Sequence, residues 1–74
     1  MPHINIKHFP VPLDDERRAT LVAALTSAVG EALGCAENVV SIALEPVDPA
    51  EWQERVYQPE IVERAALLCK RPDY

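Results

Sequence analysis

Residues 14–34 read DDERRATLVAALTSAVGEALG, and this stretch decides the fold because it predicts both ends and the buried face of one helix. Asp14 is a favourable N-cap, and the acidic residues Asp15 and Glu16 follow it at the positive end of the helix dipole. Gly34 suits the left-handed conformation that ends many helices. Apolar residues recur at steps of three and four, which predicts one buried stripe: Leu21, Leu25, Ala28, Val29 and Ala32.

Strand patterns lie on both sides of this helix. Residues 2–9, PHINIKHF, alternate in polarity and predict a strand that the prolines at positions 10 and 12 end. Residues 39–44, VVSIAL, are almost all apolar and predict a strand that is covered on both faces. A strand, a helix and a strand in this order predict a βαβ unit with a right-handed crossover and two parallel strands.

The last third of the chain predicts shorter helices. Asp48 and Pro49 are suited to the cap and first position of a short helix that carries Trp52. Pro59 is expected to interrupt this helix, and a second helical segment should follow over residues 61–68. The fold class is therefore α/β (α+β): a single domain, residues 1–74, with two parallel strands, one long helix and C-terminal helical segments.

Composition narrows the possible partners. The net charge is −5 and the basic residues are scattered, which argues against nucleic acid and anionic membranes as partners. Two cysteines, Cys35 and Cys69, are too few for a disulfide framework and are expected to be buried or half-buried reduced thiols. No apolar run is long enough to span a membrane and no signal peptide is evident, so we expect a soluble, cytoplasmic protein.

The apolar content points to assembly. Hydrophobic residues make up 49% of 74 residues, more than one small domain covers comfortably. A two-stranded sheet with one helix would also leave a face with Ile or Val side chains open to water. We therefore expect an oligomer in which a second copy completes the sheet, rather than a monomer with some exposed leucines.

Pro2 is the main candidate for chemistry. A small residue after Met1 permits removal of the methionine, which would leave Pro2 as an N-terminal secondary amine. Such an amine titrates near pH ~7.7–8.0 in water, and an apolar pocket would lower its pKa towards the working pH of a general base. The alternative is a strand whose second residue happens to be proline, and position alone does not decide between the two.

A resemblance over essentially the whole chain favours Pro2 as a catalytic amine. The segments PHINIKHF, LDDERRATL, VVSIALEPV, PAEWQE and KRPDY, in this order and spacing, resemble the 4-oxalocrotonate tautomerase family, and within it the small PptA-type tautomerases. The resemblance implies a βαβ subunit, Pro2 as the catalytic base, no cofactor and a small-molecule substrate. It also implies a homo-oligomer, with a dimer expected in this branch and a hexamer in others.

The resemblance also implies a substrate class. The hexameric diacid enzymes of the family use two arginines, and here those positions fall at Val11-Pro12 and at Ser41, none of which is cationic. The expected reaction is therefore keto–enol tautomerisation of an aryl pyruvate enol such as phenylenolpyruvate, as in the PptA branch. Trp52 matches the aromatic position of the pocket, although an interface or core tryptophan is the alternative.

Other candidate residues remain open. Ser41 is a candidate to donate a hydrogen bond to substrate or is a structural hydroxyl, and Phe9 belongs to the pocket or the core. His3 and His8 lie on opposite strand faces and cannot share one metal ion within a subunit. Two other functions also remain: a hydratase or dehalogenase of the same superfamily, for which Glu45 is the only suitably placed acid, and a non-catalytic oligomeric binding or scaffold protein.

Overall fold

The computed structural model describes all 74 residues and has one long α-helix between two strands. Strand β1 spans His3–His8, helix α1 spans Asp15–Leu33 and strand β2 spans Ser41–Pro46. The Ser41 N–H donates to the Pro2 carbonyl at 3.1 Å, and the Val47 N–H donates to the His8 carbonyl at 2.8 Å. In both bonds the donor residue follows the acceptor residue by the same number of positions, so β1 and β2 are parallel. The predicted βαβ topology is confirmed.

The two ends of α1 follow local sequence signals. The Asp14 carboxylate accepts a hydrogen bond from the Arg17 N–H at 2.7 Å. Gly34 ends the helix at φ 67° and ψ 39°, and its N–H donates to the Gly30 carbonyl. Cys35 N–H donates to the same carbonyl at 3.0 Å, which completes a Schellman-type end. Both predicted ends are confirmed.

The chain forms two compact units. Unit 1 consists of Met1–Ile6 and Val11–Glu45, and unit 2 consists of Lys7–Pro10 and Pro46–Tyr74. The only buried hydrophobic side chains are Val47 and Val56, and both belong to unit 2. Unit 1 therefore contains no fully buried hydrophobic side chain, and its apolar surfaces are at most half-buried.

The buried face of α1 is rotated from the predicted one. Ala28 and Ala32 are exposed, whereas Gly30 is buried. Half-buried positions on the helix are Leu21, Val22, Leu25, Thr26 and Val29. The prediction was wrong for the two alanines because a methyl group is cheap to leave in water, so apolarity alone did not place them. Gly30 is buried, and a Cβ there would lie 3.2 Å from the Cys35 carbonyl oxygen, so the chain after the helix passes close to this position.

Strand β2 differs from its prediction in position and in burial. It begins at Ser41 rather than Val39, because Glu37–Val39 form a 3-10 turn and the Val40 N–H donates to the Glu37 carbonyl instead of to the sheet. Its first residue is exposed, so the prediction of a strand covered on both faces is wrong for this chain. One sheet face in unit 1 is apolar and half-buried, with Ile4, Ile6, Ile42 and Leu44.

The opposite sheet face in unit 1 is polar. His3 Nδ1 lies 2.7 Å from Ser41 Oγ, and the Asn5 amide donates to a Glu45 carboxylate oxygen at 3.1 Å. The expectation of exposed Ile and Val side chains on this second face is therefore wrong. Alternation along each strand places the apolar side chains on one face only.

The C-terminal segment contains a helix of unexpected type. A 3-10 helix, Pro49–Glu51, is capped by Asp48, whose carboxylate accepts from the Ala50 N–H at 2.8 Å. A π-helix then spans Gln53–Val62, with Pro59 inside it. The predicted interruption at Pro59 is wrong. In an α-helix a proline ring clashes with the carbonyl four residues back. A π-helix pairs residues five apart, so its hydrogen bonds do not depend on that carbonyl.

Two further predictions for this segment need correction. The second helical segment is only one 3-10 turn, Ala65–Leu67, rather than a helix over residues 61–68. Cys69 is exposed and only Cys35 is half-buried, although both thiols are free as expected. Cys69 follows the last helical turn and lies in irregular chain, where the apolar spacing of a helix does not predict which side chains are covered. No helix is long and apolar enough to cross a membrane.

Candidate active site

Pro2 is held in place through its carbonyl group. It lies one residue before β1, is half-buried and accepts the Ser41 N–H at 3.1 Å. A proline nitrogen has no proton to donate to a sheet, so the Pro2 nitrogen has no role in the strand pairing. Met1, which precedes it, is 100% exposed. The geometry therefore fixes the position of the Pro2 ring without using its nitrogen.

Ser41 lies opposite this end of β1. Its side chain is exposed, which contradicts its expected place on a buried strand, and its hydroxyl is 2.7 Å from His3 Nδ1. A serine hydroxyl has one proton and two acceptor lone pairs. Ser41 is therefore free to donate to another molecule only when His3 Nδ1 carries the proton of this contact. His3, which is exposed, thereby has a specific side-chain partner on the neighbouring strand.

Phe9 and Trp52 meet in unit 2. Their ring centroids are 5.0 Å apart and the ring planes lie at 86°, an edge-to-face contact. Trp52 lies between the 3-10 helix Pro49–Glu51 and the π-helix, and it is half-buried. Phe9 is 48% exposed, so it is not a core residue of this chain. The structure brings these two predicted residues together.

Two further aromatic residues, Tyr57 and Tyr74, which the sequence did not single out, lie beside Trp52. The Trp52 indole N–H donates to the Tyr74 hydroxyl oxygen at 3.3 Å, and the Tyr74 and Tyr57 rings lie 5.7 Å apart. Aromatic residues are scarce in this chain, at 5% of the sequence. Their scarcity was the available signal, because a few large rings in a chain with little core tend to pack together.

Three charged side chains form an ion-pair network at the π-helix. Lys7 Nζ lies 2.6 Å from one Glu60 carboxylate oxygen, and Arg64 lies 3.2 Å from the other. The Lys7 ammonium, by hydrogen bonding and by charge, lowers the pKa of Glu60 below its ordinary value, and Arg64 adds to this effect. Both Lys7 and Glu60 are part-buried, so this ion pair joins the end of β1 to the π-helix within unit 2.

The predicted site residues are divided between the two units. Pro2 and Ser41 belong to unit 1, whereas Phe9 and Trp52 belong to unit 2. Glu45, the acid considered for water activation, accepts from Asn5. No group of three or more His, Cys, Asp or Glu side chains is arranged to hold a metal ion. His8 Nδ1 instead donates to the Phe9 carbonyl at 2.8 Å.

Comparison with known proteins gives a consistent result along the chain. The family model described as "Tautomerase enzyme" matches residues 2–56. The protein named "Tautomerase PptA" from Klebsiella pneumoniae (strain 342) is 42% identical over 74 residues, which cover 100% of this chain and 97% of that protein. The protein of the same name from Escherichia coli O157:H7 is 38% identical with the same coverage of both chains.

Proposed function

The chain belongs to the tautomerase family and is an isomerase that acts on a small molecule, and we propose that Pro2, once Met1 is removed, carries the proton. The observation that carries this proposal is the fixed, half-buried Pro2 ring whose nitrogen takes no part in the sheet. Partial burial disfavours the charged form of an amine and so lowers its pKa. A neutral amine near pH 7 is a suitable general base.

The proposed reaction needs only one group to move the proton. The Pro2 nitrogen removes the proton of the enol hydroxyl, and the electrons of that O–H bond form the carbonyl. The electrons of the C=C bond then take a proton from the prolyl ammonium at the adjacent carbon. The amine is regenerated, and the substrate has changed only in the position of one proton and one double bond.

The proposed substrate is the enol of an aryl pyruvate. The positions at which related diacid enzymes carry arginines are Val11-Pro12 and Ser41, which offer no positive charge to a second carboxylate. The Phe9–Trp52 contact offers exposed aromatic surface to an aryl ring. Phe9 follows the end of β1 that is remote from Pro2, so we propose that this surface contacts a substrate bound at the Pro2 of a second copy. Ser41 is proposed to donate one hydrogen bond to this substrate, with His3 Nδ1 as the donor to Ser41.

We further propose that the enzyme is a homodimer in the cytoplasm. The side chains of Leu33 and Leu67 are each 67% exposed, and the only buried hydrophobic side chains of the chain are Val47 and Val56. Covering exposed leucines is favourable by about 25 cal/mol for each Å² of apolar surface. The free thiols Cys35 and Cys69 suit a reducing compartment. Light scattering should give twice the 8.2 kDa mass of one chain.

Phenylenolpyruvate ketonisation by wild type and Pro2→Ala tests the role of Pro2. Intact mass must first show that Met1 is absent from both proteins. Pro2→Ala replaces a rigid secondary amine by a primary amine, and we expect a fall in kcat of at least about tenfold. Pro10→Ala is the matched control, because Pro10 is an exposed proline of the loop after β1. Equal rates in wild type and Pro2→Ala would exclude the proposed mechanism.

A further inference from the structure

A histidine and a serine meet at the end of the sheet where Pro2 lies. His3 Nδ1 is 2.7 Å from Ser41 Oγ, and both side chains are exposed. The Ser41 N–H donates to the Pro2 carbonyl at 3.1 Å, so Ser41 contacts both Pro2 and its neighbour. All three residues belong to unit 1. We call His3 and Ser41 the His–Ser pair.

One small molecule can reach both the Pro2 nitrogen and this pair. Removal of Met1, which is 100% exposed, leaves the nitrogen at the open end of β1. Bond lengths within the two residues and the 3.1 Å hydrogen bond between them place this nitrogen within about 10 Å of Ser41 Oγ. In an enolpyruvate only one carbon separates the carboxylate from the reacting carbon. With a contact of about 3 Å at each end, such a molecule spans a comparable distance.

His3 is the only side chain of unit 1 that can bring a positive charge to this end of the sheet. The lysine and arginine residues of unit 1 are Arg17 and Arg18, which lie in the first turn of α1. The helix of a βαβ unit runs back from the end of the first strand to the start of the second. That turn therefore lies at the end of β1 that is remote from Pro2. Arg18 is also 3.6 Å from the Asp15 carboxylate.

The protonation state of His3 decides what the pair offers to a ligand. Histidine is the side chain that ordinarily changes its charge between pH 5 and 8. An imidazolium donates from Nδ1 to Ser41 Oγ, so the Ser41 O–H and the His3 Nε2–H are both available as donors. Two donors and one positive charge suit a carboxylate, which accepts strong charge-assisted hydrogen bonds. The other titratable side chain of unit 1 on this face is Glu45, which accepts from the Asn5 amide.

We propose that protonated His3 and Ser41 together bind the carboxylate of the substrate. This inference rests on the proposed function, because it assigns a place to the single carboxylate of the proposed enol. His3 supplies, from the neighbouring strand, the charge that a serine lacks. The pair therefore selects a monoanionic acid over the corresponding neutral ester.

Binding of phenylpyruvate and of its methyl ester, which lacks the negative charge, tests this proposal without turnover. His3→Gln keeps a polar side chain but loses the charge, His3→Arg keeps the charge, and Ser41→Ala removes the hydroxyl. Asn5→Ala is the matched control, because Asn5 is an exposed residue of the same sheet face. The chain has only two histidines, so the imidazole NMR signals of His3 report the contact and those of His8 serve as a reference.

The expected result is a selective loss of affinity for the anion. His3→Gln should raise the Kd of phenylpyruvate about tenfold, the lower end of the effect of a hydrogen bond to a charged group, and leave that of the ester unchanged. Ser41→Ala should raise it by a smaller factor, and His3→Arg should retain most of the affinity. In ketonisation, His3→Gln should raise KM by a similar factor and leave kcat unchanged. Phenylpyruvate should shift the His3 signals but not those of His8, and Asn5→Ala should match wild type.

Several results would overturn the proposal. Among them are an unchanged phenylpyruvate Kd in His3→Gln, an equal loss for the ester, and the absence of saturable binding by wild type. A loss that persists in His3→Arg, or one accompanied by a change in oligomeric mass, would show a structural or interface role instead. Full ketonisation activity in Pro2→Ala together with weaker phenylpyruvate binding in His3→Gln would refute the proton mechanism while leaving the carboxylate site intact.

Discussion

Retention of Met1 should remove the catalytic group without altering the folded protein. In the unprocessed chain the Pro2 nitrogen belongs to an amide, whose lone pair is delocalised and therefore not basic. A general acid–base group contributes about 10²–10⁴-fold to a rate, which corresponds to about 3–5 kcal/mol of activation free energy. Chain that carries Met1 should therefore ketonise phenylenolpyruvate at least about 100-fold more slowly than processed chain.

The structure separates this loss of activity from any loss of stability. The Met1 side chain is 100% exposed and buries nothing. The hydrogen bond that holds Pro2 in the sheet uses its carbonyl group, which is the same in both forms of the chain. The free energy of unfolding should therefore differ by less than about 0.5 kcal/mol, the usual effect of a change at an exposed position.

The comparison needs two proteins of identical sequence after Met1. Unprocessed chain is purified from cells in which methionine aminopeptidase is inhibited, and intact mass establishes the fraction that retains Met1. Enol absorbance then follows ketonisation, and urea unfolding followed by Trp52 fluorescence measures stability. Equal rates per molecule in the two proteins would refute the reasoning, as would a rate loss accompanied by an equally large loss of stability.

Three further predictions concern stability, each measured by urea unfolding. Gly34→Ala should lower the free energy of unfolding by about 1 kcal/mol, because φ is 67° at this position. Gly34→Asn should lower it less, because asparagine adopts this conformation more readily. Equal losses in the two variants would contradict the role of backbone conformation. Asp14→Ala should lower the free energy of unfolding by about 1 kcal/mol, because the Arg17 N–H loses the carboxylate that accepts its hydrogen bond. Asp14→Ser should retain most of the wild-type stability, because serine also caps helices. An equally large loss in Asp14→Ser would mean that the cap is not the cause. Glu60→Gln should cost about 0.2–1 kcal/mol at pH 7, because Lys7 lowers the Glu60 pKa and stabilises the carboxylate form. That difference should shrink as the pH falls below 4.5, the ordinary pKa of the carboxyl, and vanish below the lowered pKa of folded Glu60. A difference that stays constant as the pH is lowered below 4.5 would contradict the ion pair.

The features that the sequence predicted correctly depend on near neighbours in the chain. Asp14 caps a helix through an N–H three residues away, and Gly34 ends it through a carbonyl four residues back. Asp48 likewise caps through the Ala50 N–H. The pairing of β1 with β2 is long-range, but the general preference for right-handed crossovers in βαβ units leaves few alternatives for it.

The π-helix was not predictable in the same way. No residue has an intrinsic preference for i→i+5 pairing, and Pro59 argues locally for a break. The interactions that favour one continuous helix come from elsewhere: Val56 is buried, and Glu60 binds Lys7, which lies 53 residues away along the chain. Sequence periodicity contains no information about such partners, and this is why the prediction failed at Pro59.

The candidate site likewise combines residues that the sequence identified with long-range contacts that it did not. Pro2 was identified by its position after Met1 and by family resemblance, whereas the hydrogen bond between its carbonyl and the Ser41 N–H required the structure. The Trp52–Tyr74 contact joins residues 22 apart and has no periodic signal. Serine at position 41 was expected to be buried, and its exposure and contact with His3 follow from where β2 begins.

Assembly and chemistry are linked on this proposal. Pro2 needs partial desolvation to act as a base near pH 7, yet it lies in unit 1, which buries no hydrophobic side chain fully. The chain alone therefore supplies only part of the apolar cover for the amine, because Pro2 is half-buried. A second copy that covers unit 1 would remove water from the Pro2 nitrogen and lower its pKa, because desolvation disfavours the ammonium form. The contact that completes the core of this small protein would then also prepare its base.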